Sequence, residues 1–330
     1  MKACVLNGEV GDYTKLKIQE VSEPINIGDT DVLIQHSSIG INFDDVMYRR
    51  GDYAIPKEFG EKPILGFEAV GEIIHVGKEV KSFKVGNRVG YAFCRLGAYA
   101  EQNVVDYRYI FNIPDNIKSE TAAGILRKGL TAEYLLFKAV TVMKDDWILI
   151  HSVAGGVGHL LAKWAKSLGL HVIGTVCNDS KFSIAMALGI DCVINREKED
   201  ISQKVLEYTK GKGVKVVYDG IGKPVFKTSI EVLKPFGIYV SYGYAGGKLD
   251  PIDVFTLREK NLFFTTPTLE LYMANRYELI LSVANIFDAL SKGIISPNIS
   301  QYDLDGIPQA HADLESGNTV GSLVVNTSYI

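Results

Sequence analysis

Hydrophobic and polar positions follow two different patterns along the chain, and each pattern predicts a different kind of domain. From the start to about residue 114, short runs of β-type residues alternate with glycine-containing turns. These runs lie at residues 2–6, 31–35, 64–76, 85–91, 99–105 and 109–110. Many short strands between such turns predict a compact antiparallel barrel or sandwich. Residues 119–136 then favour a helix.

Beyond residue 145 the pattern changes to alternating strands and helices. Apolar runs predict strands at residues 147–150, 171–176, 192–194, 214–218, 238–242 and 262–264. Amphipathic stretches predict helices at residues 159–168, 181–188, 201–208, 224–233 and 276–290. This order predicts an α/β fold with a doubly wound parallel sheet. Residues 321–325 look like a last strand that returns to the first domain.

The loop between the first parallel strand and its helix carries the candidate chemistry. It consists of Val153, Ala154, Gly155, Gly156, Val157 and Gly158. Gly155 would let the backbone approach a pyrophosphate closely, and Gly158 would let the helix pack tightly against the strand. The first N–H groups of the helix would then face the anion. The loop predicts a dinucleotide site, although Val153 replaces the usual first glycine; the alternative is a tight buried turn without a ligand.

The end of the second parallel strand indicates which dinucleotide is bound. NAD-selective sheets place an acid there to accept the ribose hydroxyls, but this chain has Val176. Lys181, with Asn178 and Ser180, could instead hold a 2′-phosphate. Asp179 weakens that argument unless it caps the helix. We therefore expect NADP(H) rather than NAD(H), with a solvated Lys181 as the alternative.

Composition narrows the class of protein. A formal net charge of −4 over 330 residues argues against a general nucleic-acid binder. No apolar run is long enough for a membrane helix, and the first residues turn polar too early for a signal peptide, so we expect a cytoplasmic protein. The cysteines at positions 4, 94, 177 and 192 are widely scattered, which favours reduced thiols over disulfides or a zinc knuckle.

Several motifs together point to a known family. They are residues 40–45 (GINFDD), 49–53 (RRGDY), 63–71 (PILGFEAVG), 128–131 (KGLT), 153–158 (VAGGVG) and 217–222 (VYDGIG). With these motifs the chain resembles the medium-chain dehydrogenase/reductase superfamily, and within it the zinc-independent, zeta-crystallin-like quinone oxidoreductases. The resemblance implies a GroES-like β-barrel catalytic domain over residues 1–124 and 266–330 and a Rossmann domain over residues 125–265. It also implies a homodimer in which Rossmann edge strands pair.

The residues at the family's zinc positions predict no metal site. Zinc-dependent relatives carry a cysteine where this chain has Asn42 and a histidine where it has Phe67. Lys128 lies in the region of the third ligand, and an ammonium group would repel Zn²⁺. The six histidines show no metal-binding spacing.

The resemblance implies direct hydride transfer from NADPH to a quinone or enone. Asn42, Asp45 and Tyr53 look like the family's cleft residues: the amide or hydroxyl would hydrogen-bond the reduced oxygen, and Asp45 would orient those donors. Each could equally be a turn or packing residue. Met47, followed by Tyr48, stands where the family often has tyrosine.

Further residues would hold the cofactor by the same resemblance. Thr131 looks like a contact of the nicotinamide ribose, and Gly243 and Tyr244 follow the fifth strand at the edge where ligands bind. Arg196, where relatives commonly have tyrosine, could pair with a 2′-phosphate. Thr266 and Gly317 lie where some relatives offer arginine, which would reduce phosphate affinity.

The sequence leaves two alternative functions open. One is an alkenal or enoyl double-bond reductase on the same scaffold. The other is a nucleotide-binding, crystallin-like or RNA-binding protein with little turnover. The intact glycine loop and the polar cleft residues favour an enzyme.

Overall fold

The computed structural model describes residues 1–93 and 95–327, so the prediction for Cys94 lies outside the described residues. The chain divides into two compact units. The first comprises Met1–Lys128, Ala274–Val283 and the segment from Pro297 onward, and the second comprises Gly129–Met273 and Ala284–Ser296. The domain borders expected after residues 124 and 265 stay predictions.

The strands and helices are named in chain order. The first part of the chain contains β1 (Lys2–Leu6), β2 (Leu16–Glu20), β3 (Asp31–Ile41), α1 (Phe43–Arg50), β4 (Glu68–Val76), β5 (Arg88–Tyr91), β6 (Gln102–Asp106), β7 (Phe111–Asn112) and α2 (Ser119–Phe137). The next part contains β8 (Trp147–Ile150), α3 (Gly156–Ser167), β9 (His171–Val176), α4 (Phe182–Met186), β10 (Cys192–Asn195), α5 (Ile201–Tyr208), β11 (Val214–Asp219), α6 (Phe226–Glu231), β12 (Leu233–Ser241), β13 (Phe263–Thr265) and α7 (Leu269–Tyr272). The last part contains α8 (Arg276–Ser291), β14 (Ile299–Asp303), α9 (Ile307–Glu315) and β15 (Ser322–Asn326).

The first unit is organised around the long strand β3. Its main sheet has the order β14-β15-β3-β4-β5-β7, and β6 also pairs with β3. Strand β15 pairs antiparallel with β3, with Leu323 opposite Ile41, so the last predicted strand does return to the first unit. Strands β3 and β4 approach closely because position 71 is glycine: a Cβ there would overlap the main-chain oxygen of Gln35.

The second unit is a parallel sheet with helices between its strands. Its strand order is β10-β9-β8-β11-β12-β13, and every neighbouring pair is parallel. The strand order reverses between β8 and β11, which is the arrangement of a doubly wound dinucleotide-binding sheet. The predicted Rossmann fold is confirmed. Strands β8 and β9 and helix α5 have the predicted bounds.

Several local predictions were wrong or incomplete. Helices α1 and α9 and strands β2 and β14 were not predicted. Residues 109–110 are not a strand: Tyr107–Tyr109 form a 3₁₀ turn, capped where Asp106 accepts the N–H of Arg108, and the strand begins only at Phe111. No helix among the described residues has the length and apolarity needed to span a membrane.

Candidate functional site

The glycine loop of the second unit leaves backbone donors open at the start of α3. Gly155 is the N-cap residue, and no side chain caps it. The N–H of His159 is the first to donate inside the turn, to the carbonyl of Gly155 at 2.8 Å. The N–H groups of Gly156, Val157 and Gly158 therefore precede the first helical acceptor. Three adjacent N–H groups at the positive end of a helix form a binding site for an anion such as a pyrophosphate.

The loop is held close to the sheet by small residues. A Cβ on Gly158 would overlap the main-chain oxygen of Ser152, so this position must be glycine for α3 to start where it does. Val153, at the position of the missing first glycine, is fully buried, and its N–H donates to Thr175 at 3.0 Å. Its side chain lies where a Cβ of Gly174 would be. Because Gly174 on β9 has no side chain, it leaves space for the side chain of Val153. In the usual fingerprint a glycine at the position of Val153 provides that space instead.

A buried histidine fixes this loop, a role that the sequence analysis missed. His151 directly follows β8 and is fully buried. Its Nδ1 lies 3.0 Å from Thr175 Oγ1, and its Nε2 lies 2.8 Å from Ser229 Oγ. Burial lowers the pKa of His151 to about 4, so the ring is neutral near pH 7. It acts as a structural bridge between β9 and α6.

The turn after β9 is organised by Asn178. Its Oδ1 accepts the N–H of Lys181 at 3.2 Å and the hydroxyl of Ser180 at 2.7 Å. Its Nδ2 donates to Cys177 Sγ at 3.6 Å. Asn178 and Ser180, both expected to contact a 2′-phosphate, are thus bonded to each other and shape the turn. Val176, where an NAD-selective acid would stand, is buried and apolar.

Lys181 and Arg196 supply positive charge beside this turn. Only 6% of Lys181 is exposed, yet its ammonium group makes no hydrogen bond or ion pair with any described residue. Burial lowers the pKa of Lys181, the nearby thiol of Cys177 raises it, and Arg196 lowers it further. The main-chain N–H of Arg196 donates to Val176 at 3.0 Å, which places Arg196 beside the end of β9.

The negative charge of Asp179 is already paired. Its Oδ1 accepts from Asn195 Nδ2 at 2.7 Å, and its Oδ2 accepts from the ammonium of Lys198. These partners lower the pKa of Asp179. Asp179 therefore opposes an incoming phosphate less than its place in the sequence suggested.

Gly243 and Tyr244 follow β12, next to the turn that follows β11. The N–H of Ala245 donates to Gly220 at 3.0 Å, so the two turns are bonded to each other. Asp219 holds the first turn by accepting the N–H of Ile221 and, at 2.5 Å, the hydroxyl of Tyr239. The structure thus places Gly243 and Tyr244 at the carboxyl edge of the sheet, as the sequence predicted.

Thr131 lies on α2, within the part of that helix that belongs to the second unit, and is partly exposed. The structure thus brings the candidate cofactor residues to the carboxyl ends of three strands of one parallel sheet, β8, β9 and β12, apart from Thr131 on α2 and Arg196 after β10.

In the first unit, Asn42 belongs to a buried polar cluster with Glu68 and Lys128. Asn42 Nδ2 donates to Glu68 Oε2 at 2.8 Å, and Asn42 Oδ1 accepts from Lys128 Nζ at 2.8 Å. Lys128 Nζ also donates to the main-chain oxygen of Ile41 at 3.1 Å and lies 3.7 Å from Glu68 Oε2. The amide of Asn42 is therefore held at both ends, and one of its N–H bonds is not used in this cluster.

Asp45 is a buried capping residue of α1. Its Oδ2 accepts the N–H of Asn42 and the hydroxyl of Tyr99, each at 2.8 Å, and Tyr99 Oη lies 2.9 Å from His311 Nε2. Asp45 Oδ1 has no hydrogen-bond partner among the described residues. Burial raises the pKa of Asp45 to about 7. Asp45 holds Asn42 through the backbone, which favours a positioning role over direct contact with substrate.

Tyr53 is part of an aromatic group. Its ring centroid lies 5.2 Å from that of Tyr48, and the Tyr48 ring lies 5.2 Å from that of Phe67. Met47 is buried, so the tyrosine one position further on, Tyr48, forms the aromatic contacts. Tyr53 and Tyr48 are both half-buried.

Where zinc-dependent relatives hold a metal, this chain has the cluster of Asn42, Glu68 and Lys128. No group of three or more His, Cys, Asp or Glu side chains within residues 1–93 and 95–327 is arranged to hold a metal ion. The Lys128 ammonium neutralises Glu68 and occupies the oxygen of Asn42, so these residues do not fit a divalent cation.

Comparisons with known families agree with this geometry. A family model described as an alcohol dehydrogenase GroES-like domain matches residues 28–146, and one described as a zinc-binding dehydrogenase matches residues 156–278. The two matches define the class of protein: a dehydrogenase with a GroES-like domain followed by a dinucleotide-binding domain.

Individual relatives define the family more narrowly. A quinone oxidoreductase of Pseudomonas aeruginosa is 38% identical over 92% of this chain and 93% of its own length. A 2-haloacrylate reductase of a Burkholderia species is 37% identical over 90% of this chain and 91% of its own. The crystal structure of Escherichia coli quinone oxidoreductase complexed with NADPH has 34% sequence identity and a TM-score of 0.94, covering 99% of this chain and 100% of that one. The chain belongs to the quinone oxidoreductases of the medium-chain dehydrogenase/reductase superfamily, as the sequence motifs predicted.

Proposed function

We propose that this protein reduces a quinone with NADPH by hydride transfer that needs no metal ion. One observation carries the proposal. Open backbone donors at Gly156–Gly158 lie in the loop after β8, and Lys181, a largely buried lysine whose ammonium has no hydrogen-bond partner among the described residues, lies after the adjacent strand β9. This arrangement fits the pyrophosphate and the 2′-phosphate of one NADPH molecule. The NADPH complex of the Escherichia coli relative supports the same assignment.

Each part of the cofactor would have its own residues. Ala154, Gly155, Gly156, Val157 and Gly158 would enclose the pyrophosphate, and Lys181 and Arg196 would pair with the 2′-phosphate. Asn178 and Ser180 would keep this turn in shape. Thr131 would contact the nicotinamide ribose, and Gly243 and Tyr244 would border the nicotinamide. When bound, NADPH supplies the hydride.

The residues of the first unit would handle the acceptor. The rings of Tyr53 and Tyr48 are tilted by 58° to each other, so one of them would stack on a planar quinone while the other borders it. Asn42, held by Lys128 and Glu68, keeps one N–H bond to donate to an oxygen that gains charge during reduction. Asp45 would fix the position of Asn42 and would not itself contact the acceptor, since it is fully buried.

A second candidate reaction is the reduction of an electron-poor carbon–carbon double bond. The 37% identity to a 2-haloacrylate reductase favours it almost as strongly as the quinone relatives favour the first. Both reactions deliver a hydride to a conjugated, electron-poor acceptor, so the same scaffold can serve either.

The test compares acceptors at fixed NADPH. Oxidation of NADPH is followed with 1,4-benzoquinone, with 2-chloroacrylate and with an α,β-unsaturated aldehyde. A higher kcat/KM for benzoquinone is expected. Faster turnover of 2-chloroacrylate or the aldehyde would favour the second candidate, and NADPH binding without turnover of any of them would contradict both.

We also propose a homodimer formed through the edge of the second unit's sheet. Strand β13 is the edge strand, and large apolar side chains near it are exposed: Val254 by 67%, Phe255 by 70% and Phe263 by 58%. An exposed strand edge beside apolar side chains suits strand pairing with a second copy. Sedimentation velocity should give a dimer for the wild type and a monomer for Phe263→Lys; a monomeric wild type would contradict the proposal.

A cytoplasmic location fits these proposals. The described cysteines Cys4, Cys177 and Cys192 form no disulfide with one another, which suits a reducing compartment. Cell fractionation with a cytoplasmic marker tests this, and co-fractionation with a membrane marker would contradict it.

A further inference from the structure

Two buried tyrosine–histidine pairs lie in the first unit. Tyr91 and Tyr99 are both fully buried, and so are their partners His36 and His311. The Tyr91 hydroxyl lies 3.0 Å from His36 Nε2, and the Tyr99 hydroxyl lies 2.9 Å from His311 Nε2. A buried hydroxyl loses its hydration, and phenylalanine would fill the same space without that cost. The hydrogen bonds of each hydroxyl are therefore what tyrosine adds at these two positions.

The two pairs differ in what else the hydroxyl contacts. The Tyr91 hydroxyl accepts from Asn103 Nδ2 at 3.0 Å, so the bonds of this pair join β3, β5 and β6 within the sheet. The Tyr99 hydroxyl instead donates to Asp45 Oδ2 at 2.8 Å, and the same oxygen accepts the main-chain N–H of Asn42. The Tyr99 pair is thus connected to the start of α1, where Asn42 belongs to the buried polar cluster.

The bonds around Tyr99 have a defined direction. Because the only hydroxyl proton of Tyr99 is donated to Asp45, His311 Nε2 carries a proton and donates it to the Tyr99 oxygen. Burial lowers the pKa of His311 to about 3, so the ring is neutral and Nδ1 carries no proton. Nδ1 has no hydrogen-bond partner among the described residues, which suits a bare nitrogen better than a buried N–H. A continuous chain of bonds therefore runs from His311 on α9 to Asp45 on α1.

Tyr99 itself is held in place. Its main-chain N–H donates to the oxygen of Leu65 at 3.0 Å, and its main-chain oxygen accepts the N–H of Cys4 at 2.8 Å. Gly66 has a φ of 88°, and a Cβ on it would overlap the ring of Tyr99. Because both the backbone and the ring are confined, the hydroxyl is a fixed point against which Asp45 is held.

We propose that Tyr99 and His311 are positioning residues for the reduction of the acceptor, because they hold Asp45 and, through it, Asn42. The inference rests on the proposed role of Asn42 as the donor to the oxygen that gains charge. Tyr99 and His311 would not touch the acceptor, since both are fully buried. The bond to Lys128 fixes the side chain of Asn42, and the chain from His311 fixes its backbone. Loss of either would misalign the remaining N–H of Asn42 with that oxygen.

The experiment measures a single turnover of the full-length protein, loaded with NADPH and mixed with excess 1,4-benzoquinone. Tyr99→Phe should slow the oxidation of NADPH about tenfold, because a small displacement of a positioned donor lowers the rate of the chemical step. The Kd for NADPH and the KM for the quinone should change little, since the contact strengthens only as charge develops.

Tyr91→Phe is the matched control. It also removes a buried hydroxyl that is bonded to a histidine, so both variants should lower the free energy of unfolding in urea. Tyr91→Phe should nevertheless oxidise NADPH at the wild-type rate. Equal slowing by Tyr91→Phe and Tyr99→Phe would mean that the unit is merely loosened, and would overturn the inference.

A double-mutant cycle tests whether Tyr99 acts through Asn42. Asn42→Ser removes the amide but keeps the main-chain N–H that Asp45 accepts, and serine is a favourable N-cap residue, so α1 should still form. Tyr99→Phe should then slow the turnover of the wild type but hardly change that of Asn42→Ser. Losses that multiply independently would overturn the inference.

His311→Phe tests the far end of the chain. It keeps an aromatic ring against Tyr99 but removes the donor to its oxygen, while the bond from Tyr99 to Asp45 remains. It should slow the turnover by a smaller factor than Tyr99→Phe. A wild-type rate for His311→Phe would contradict the role assigned to His311.

The results also separate this inference from the proposed function. Slow turnover by Asn42→Ser with wild-type turnover by Tyr99→Phe would overturn the positioning role alone. Wild-type turnover by Asn42→Ser would contradict the proposed role of Asn42, and the positioning role would fail with it. A wild type that oxidises no NADPH with either 1,4-benzoquinone or 2-chloroacrylate would contradict the proposed function. If only 2-chloroacrylate is reduced, the same variants are compared with that acceptor.

Discussion

Each unit contains a buried lysine, Lys128 in the first and Lys181 in the second, and the two lysines differ in their partners. In the first unit, Lys128, Asn42 and Glu68 contact one another, so the ammonium has its partners within the chain. In the second unit, the equally buried Lys181 has no hydrogen-bond partner among the described residues, and the N–H groups that begin α3 are uncapped. A largely buried lysine without a partner in the chain is a candidate for binding a charged ligand. We therefore assign the cluster of Lys128 to the stability of the first unit and propose that Lys181 binds a phosphorylated cofactor.

The largest effect should follow from breaking the satisfied cluster. Lys128→Met leaves Glu68 buried without its cation, and removing one partner of a buried ion pair costs about 3–5 kcal/mol of unfolding free energy. Urea unfolding measures this. Adding Glu68→Gln to Lys128→Met should recover part of the loss.

The matched control for this experiment is Lys292→Met. Lys292, just after the end of α8, forms an exposed pair with Asp288 at 2.7 Å, and such surface pairs contribute about 1 kcal/mol or less. Equal losses for Lys128→Met and Lys292→Met would contradict the distinction between the two lysines.

A smaller effect should follow from neutralising the lysine of the second unit. Lys181→Gln should raise the KM for NADPH about 10- to 100-fold, since a hydrogen bond to a charged group contributes about 1.5–3 kcal/mol. The KM for NADH and the unfolding free energy should change little. Lys163→Gln on α3 serves as the control. A similar loss for both cofactors would mean that Lys181 acts on the fold or on another part of the dinucleotide.

A third effect is a pH dependence in the first unit. Asp45 has a folded pKa of about 7, above the value of about 3.9 in an unfolded chain. Between these values the folded protein keeps a proton that the unfolded chain has released, so stability falls as pH rises, by about 1.4 kcal/mol per pH unit. Asp45→Asn keeps an acceptor without the charge and should remove this slope.

Urea unfolding of both proteins from pH 4.5 to 8 measures the difference. The advantage of Asp45→Asn over the wild type should grow up to about pH 7 and then stay constant. Asp200→Asn at the exposed N-cap of α5 controls for the loss of a capping carboxylate. A difference that is flat across the range would show that Asp45 is ionised throughout.

The sequence predicted the parts of the fold that depend on local pattern. Strands β8 and β9 have their predicted bounds because uninterrupted apolar runs end at clear turn residues. Helix α1 was missed in a region taken as strand-rich. The spacing of Asn42 and Asp45 matches a capping box and could have indicated it.

The candidate site was predictable in its cofactor half and less so in its polar cluster. The glycine loop and Lys181 each lie a few residues after the strand that positions them, so their spacing along the sequence was enough to propose them as cofactor residues. Lys128 and Asn42 are 86 positions apart, and no local rule brings them together. The sequence identified Lys128 as unsuited to a metal. That it holds Asn42 in place instead depends on the packing of α2 against β3.

Equilibrium binding of NADPH and NADH to the unmodified protein, measured by calorimetry in one buffer under reducing conditions, tests the central claim most directly. Because both cofactors carry the pyrophosphate that the α3 donors would bind, the preference depends on Lys181, which predicts tighter binding of NADPH by about tenfold or more for one phosphate contact. Equal affinities, or a preference for NADH, would contradict the assignment of Lys181 to the 2′-phosphate of a nicotinamide cofactor.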